Sequence, residues 1–180
     1  MRTRWRGTAL LVLVLAACRP AASAGDDYSE TIGPARIGAS LERLSAALPM
    51  RCDAFTPTRK CTLLEGRFAG VPVSGVEAAF RDGQLAQVKV RLDTRHYPAL
   101  LEALRARLGE PEDRTFRARA GMAGELEAGV KLWTSGEVSS VLEQYAGKID
   151  RAALTFGDAG AMHSILAEKR SYAPGTWRDL

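Results

Sequence analysis

The sequence predicts an α+β fold: two consecutive helix-then-antiparallel-strands units forming a sheet with the helices packed on one face, after a cleaved lipoprotein signal. Two apolar stripes at helical spacing, Leu41-Leu44-Leu48 and Leu100-Leu101-Leu104-Leu108, are each followed by segments that alternate apolar with polar residues. No strand-helix-strand alternation intervenes. Strands strung in series after a helix pair antiparallel, which leaves the helices to cover the sheet.

The N-terminus sets the processing. Arg2, Arg4 and Arg6 precede an uninterrupted apolar run from Ala9 to Ala17, the charged and hydrophobic parts of an export signal. At about nine residues the run falls far short of the roughly 20 that cross a bilayer. Leu15-Ala16-Ala17-Cys18 resembles the lipobox of bacterial lipoproteins, which implies a signal peptide over residues 1–17 and a lipid on Cys18. Arg19 follows the cysteine where an Asp does not, which in such lipoproteins implies onward export to the outer membrane. A second processing route stays open: Ala22-Ser23-Ala24 before Gly25 fits ordinary signal cleavage and would release a soluble protein.

Residues 18–35 are small, polar and Pro/Gly-bearing, and read as a flexible tether. Residues 36–157 read as a single domain, and residues 158–180 as a short C-terminal helix and tail. In the first helix Ser40 is placed to cap and Pro49 to stop. In the second, Arg95 to Gly109, Pro98 suits the first turn and Gly109 with Pro111 ends it.

Between the helices lies a hairpin. Val76, Ala78 and Phe80 alternate with polar or small positions, as do Ala86, Val88, Val90 and Leu92. Opposed residues share a face, so partner numbers must sum to an even total. A two-residue Asp82-Gly83 turn gives an odd sum. The expectation is therefore a three-residue Arg81-Asp82-Gly83 turn with Ala78 opposite Ala86 and Val76 opposite Val88. After the second helix come an irregular Arg/Gly-rich stretch and strands at Val130–Thr134, Val138–Tyr145 and Ala152–Phe156. Met162, Ile165 and Leu166 suggest the closing helix.

Three cysteines are an odd number for an exported chain. With lipid on Cys18, Cys52 and Cys61 remain as a pair, for which a disulfide is the default outside the cytoplasm. Metal binding has no support, because His96 and His163 are the only histidines and no four-ligand spacing exists. The chain carries 25 Lys and Arg against 21 acids; without the three arginines of residues 1–17 the balance is 22 against 21. Nucleic-acid binding loses its main support. The densest remaining basic cluster, Arg114, Arg117 and Arg119, reads as a solvated loop.

No catalytic constellation emerges. Ser139 and Ser140 lack a nearby base, His96 and His163 sit near helix ends, and Glu110, Glu112 and Asp113 cluster where solvated charge is ordinary. Gly121 and Gly124 lack the Lys-Ser/Thr of a phosphate loop. No enzyme activity and no cofactor are expected.

Gly38-Ala39-Ser40-Leu41-Glu42-Arg43-Leu44 opening a short helix, and the hairpin Phe80-Arg81-Asp82-Gly83-Gln84-Leu85, together with the lipobox and tether, resemble small envelope lipoproteins related to BamE (SmpA/OmlA) and the β-lactamase-inhibitor-protein fold. The resemblance implies a non-enzymatic binding or assembly role at the outer membrane. The membrane would be met through lipid on Cys18, and an envelope protein through a sheet face or edge, with Trp133 and Tyr145 as candidate contacts, although aromatics within strands are more often core. A soluble secreted inhibitor or ligand-binding module is the alternative.

Overall fold

One antiparallel sheet of eight strands organises the chain. The computed structural model describes residues 27–53, 58–63, 66–119, 124–172 and 177–179. Helices α1 (Ser29–Ile32) and α2 (Leu41–Ala47) lead into β1 (Arg51–Cys52), β2 (Thr58–Leu63), β3 (Gly66–Phe68), β4 (Val71–Val73), β5 (Gly75–Arg81) and β6 (Gln84–Asp93). Helix α3 (Tyr97–Leu108) precedes β7 (Glu112–Asp113), β8 (Phe116–Arg119), β9 (Glu125–Ala128), β10 (Val130–Ser135), β11 (Val138–Glu143) and β12 (Arg151–Asp158). Helix α4 (Ala159–Arg170) and β13 (Trp177–Asp179) follow. The main sheet runs β1-β2-β5-β6-β12-β11-β10-β7, so β6 and β12 meet at its centre. Strands β13-β8-β9 form a small second sheet and β3-β4 a separate hairpin.

This architecture corrects the expected one. The sheet is a single eight-stranded body, and the helices do not share one face of it. Phe80, Val88, Val90, Leu92, Leu154 and Phe156 point to the face covered by α1, α2, α3 and the β3-β4 hairpin, whose Phe68 ring lies 5.9 Å from that of Phe156. On the opposite face Met162 and Leu166 of α4, with Phe116 and Ala118 of β8, pack over Val130, Leu132 and Val141. An apolar stripe shows that a helix is amphipathic and leaves open which side of a sheet it lands on. The signal of two-sided cover is in β12, where every residue from Ala152 to Gly157 is buried, as expected of a strand packed on both faces.

The helix punctuation is local chemistry. The Ser40 hydroxyl accepts from the Arg43 amide at 3.3 Å, and the Asp158 carboxylate accepts from the Ala161 amide at 2.7 Å to start α4. Helix α3 ends at Gly109, whose φ of 82° suits a residue without a Cβ. Residues 27–35, read from sequence as tether, are instead folded: Tyr28 and Ile32 are buried, and the Asp27 carboxylate accepts from the amides of Ser29 and Ala69.

The hairpin register is also corrected. Arg81 pairs with Gln84 and Phe80 with Leu85 around a two-residue Asp82-Gly83 turn; the register then shifts, so that Ala78 faces Val88 and Val76 faces Val90. An extra residue on β6, a bulge next to the turn, restores the parity that a three-residue turn was invoked to supply. Both turn residues are left-handed, Asp82 at φ 52° and Gly83 at φ 75°, as the mirror-image turn of a right-twisted hairpin demands. The turn is anchored to the start of α2, the Leu41 amide donating to the Gly83 carbonyl at 2.8 Å. Gly83→Val is therefore expected to cost more than about 1 kcal/mol in denaturant melts, and Asp82→Ala roughly 0.5 kcal/mol, since Asp tolerates the left-handed region better than Ala. A Gly83→Val protein as stable as wild type would overturn the turn assignment.

Candidate interaction surface

The face carrying α4 is covered over only half its width. Strand alternation sends Cys61, Leu63, Val76, Ala78, Val88 and Val90 into the core, so Lys60 and Thr62 of β2, Glu77 and Ala79 of β5, and Gln87, Lys89 and Arg91 of β6 project from the other side. Arg51 of β1 lies opposite Thr62, Thr62 opposite Glu77 and Glu77 opposite Lys89, a continuous row across four strands. Lys60, Ala79 and Gln87 form the next row. Helix α4 stops at the margin, where the Gln87 amide donates to the Ala161 carbonyl at 3.3 Å and Arg81 approaches Asp158 at 3.9 Å. The apolar cluster beneath α4 and β8 includes no residue of β1, β2 or β5.

Charge on the open half is unbalanced. Its strands present Arg51, Lys60, Arg81, Lys89 and Arg91 against Glu77 and, at the strand ends, Asp93 and Asp53, whose amide donates to the Lys60 carbonyl at 2.9 Å. Glu77 is occupied by Arg91 at 2.5 Å and Asp93 by Arg95 at 3.4 Å, whereas Asp53 forms no ion pair with any described residue. Arg51, Lys60 and Lys89 form no ion pair with any described residue.

The cover over the other half is pinned by a buried cation. Lys169 of α4, 9% exposed, reaches Glu143 of β11 at 2.6 Å, Glu168 at 2.9 Å and the Tyr172 hydroxyl at 3.1 Å. Burial alone would lower the pKa of this lysine; the Glu143 carboxylate outweighs it and holds the ammonium charged above the usual lysine range.

The basic cluster visible in sequence is a different matter. Arg117 and Arg119 stand on β8 opposite Glu127 and Glu125 of β9, and Arg114 pairs with Glu112, so acids distant in sequence answer that cluster. The open face was missed because its cations come one or two at a time from four strands and look like ordinary polar alternation.

The other singled-out residues do not converge. Trp133 is buried and its indole N–H donates to the Gly109 carbonyl at 2.8 Å, while Tyr145 is half-buried against the α4 cluster, so neither aromatic forms an exposed contact patch. Ser139 and Ser140 are buried within β11. His96 precedes α3 and His163 lies exposed on α4. Glu110 pairs with Arg105, and Asp113 with Lys131 at 2.5 Å. Burial alone would raise the Asp113 carboxyl, but the Lys131 ammonium and Thr115 pull it down to about 2. Cys52 and Cys61 are disulfide-bonded, directly opposed across β1 and β2. Cys18 lies outside the described residues. Among the described residues no group of His, Cys, Asp and Glu side chains could hold a metal ion, and no helix is long and apolar enough to cross a membrane.

No family model and no curated protein matches the chain. Among solved structures, a cysteine-rich secretory protein from Staphylococcus aureus subsp. aureus Mu50 is similar at TM-score 0.41 and 8% identity, over 73% of this chain and 46% of that one. The chain thus spans less than half the length of that protein, and a likeness at this level assigns neither fold nor function. The expected likeness to BamE-related lipoproteins and the β-lactamase-inhibitor-protein fold is corrected: the chain is built on one large eight-stranded antiparallel sheet, not on two helix-then-strands units. The shared residues were a helix-capping serine and an Asp-Gly turn, which any α+β chain uses for local reasons.

Proposed function

We propose that this protein is a non-enzymatic, outer-membrane-anchored periplasmic lipoprotein that binds another envelope protein, and that the open half of its main sheet is the binding surface. The observation that carries the reading is the asymmetry of cover. One half of the face is sealed by α4 and the small sheet, whereas the other half presents polar side chains from four strands to solvent. A rigid, hydrogen-bonded platform of this kind suits docking. The polar residues singled out in the sequence do not assemble into a nucleophile with its base or into paired catalytic acids. The arginines, the apolar run and Leu15-Ala16-Ala17-Cys18 at the N-terminus support the anchor.

The test is site-specific photocrosslinking in cells. A photoreactive residue at Thr62 or Ala79 is expected to give a discrete protein adduct in the envelope fraction, and one at His163 on α4 none. Mass spectrometry of the mature N-terminus is expected to find acylated Cys18. A soluble product starting at Gly25 would replace the anchored reading with the secreted module, and adducts only from α4 would move the binding surface elsewhere.

A further inference from the structure

The open sheet face has a charge pattern that narrows what it can hold, an inference that rests on its being the binding surface. We infer that its occupant is an acidic protein surface, engaged by Arg51, Lys60 and Lys89. These three cations have no ion-pair partner among the described residues, whereas Glu77 and Asp93 are already taken by Arg91 and Arg95, which leaves Asp53 as the one acid of the face without such a partner. An approaching carboxylate therefore meets three available cations against one uncompensated acid, Asp53 at the end of β1. An approaching lysine meets the reverse.

Spacing excludes a small anion. Arg51 and Lys89 occupy one row with β2 and β5 between them, which at about 4.8 Å per strand sets their backbones roughly 14 Å apart. No single phosphate or carboxylate spans that. An extended surface with acids repeated along it does.

The interleaved residues favour protein over membrane. Thr62 and Gln87 lie among the cations and offer hydrogen bonds that fix register against another polypeptide. The strands contribute no large exposed apolar side chain to this face that could enter lipid; among the described residues Ile149, in a turn, is the exposed one. Three unpaired cations without such an anchor hold an anionic bilayer only weakly, because electrostatic adsorption adds little for each charge.

The experiment uses the full protein purified from cells that export it, titrated with a short polyglutamate peptide while backbone amide resonances are followed. Shifts are expected in β2, β5 and β6, with affinity falling about tenfold or more as salt shortens the Debye length. Lys60→Glu with Lys89→Glu, both on the solvent side of the sheet, is expected to abolish these shifts and to transfer binding to polylysine. Lys60→Gln with Lys89→Gln, should the charge reversal disturb folding, is expected to lower affinity at least tenfold. Shifts confined to β8, or none, would overturn the inference. So would vesicles of phosphatidylglycerol that bind with the same lysine dependence while the peptide does not. If the crosslinked partner at Thr62 persists unchanged in the double variants, the face remains the binding surface and the acidic occupant is refuted.

Discussion

Lys169→Ala is expected to lower folding stability by about 3 kcal/mol, because it strips the partner from a carboxylate that is itself mostly out of water. Glu143 keeps only 18% of its side-chain exposure and sits 2.6 Å from the ammonium. The lysine also packs over the Tyr172 ring, 5.0 Å from its centre, so the substitution loosens the chain after α4 as well. Replacing both partners with Lys169→Met and Glu143→Leu is expected to be nearly neutral, since the desolvation of both charges disappears with their attraction. The sign of the pH dependence follows from the raised lysine pKa. The stabilisation is complete below the unfolded-state value near 10.4 and fades as pH rises beyond it, so the single variant's deficit is constant across neutral pH. Urea melts at neutral and alkaline pH measure this; a deficit under about 1 kcal/mol would mean that α4 is held by its apolar face alone.

The disulfide gives the second large effect. Cys52 and Cys61 close a loop of sequence separation 9, for which chain entropy predicts about 2.5 kcal/mol lost on Cys52→Ala with Cys61→Ala. The two positions are not equivalent, because Cys61 is fully buried while Cys52 lies on the exposed edge strand. Cys61→Ser alone is thus expected to be worse than Cys52→Ser, by burying an unpartnered hydroxyl. Thermal melts with and without reductant report both, and a reduced protein as stable as the oxidised one would refute the entropic account. Arg51 rides on the stapled strand, so loss of the bond is also expected to weaken polyglutamate binding.

How far the sequence could be read depended on the range of the signal. Helices α2 and α3 were legible from one turn of capping chemistry and a stripe of leucines, and the alternation in β5 and β6 named core residues that are buried. The disulfide was legible from the cysteine count and from the export that the N-terminal segment leads one to expect. The bulge after Asp82-Gly83 was not, because the extra residue, buried Ala86, looks like any other apolar strand position. Helix α1 was hidden in a stretch whose glycine and proline resemble linker, and its stability comes from Tyr28 and Ile32 reaching distant partners. The side of the sheet taken by α4, and hence the existence of an open face, depends on contacts between residues about 75 positions apart, such as Gln87 with Ala161 and Met162.

The blunt margins of the main sheet carry a consequence for solubility at high density. Its outermost strands, β1 and β7, are two residues each, one tied back by a disulfide and the other made of Glu112 and Asp113. On the small sheet the outer strand β9 carries Glu125 and Glu127. Short or acid-bearing margins offer a neighbouring copy almost no run of free amides and carbonyls to extend, which is how natural β proteins avoid polymerising edge to edge. Many copies can therefore crowd side by side at high concentration without growing into fibrils.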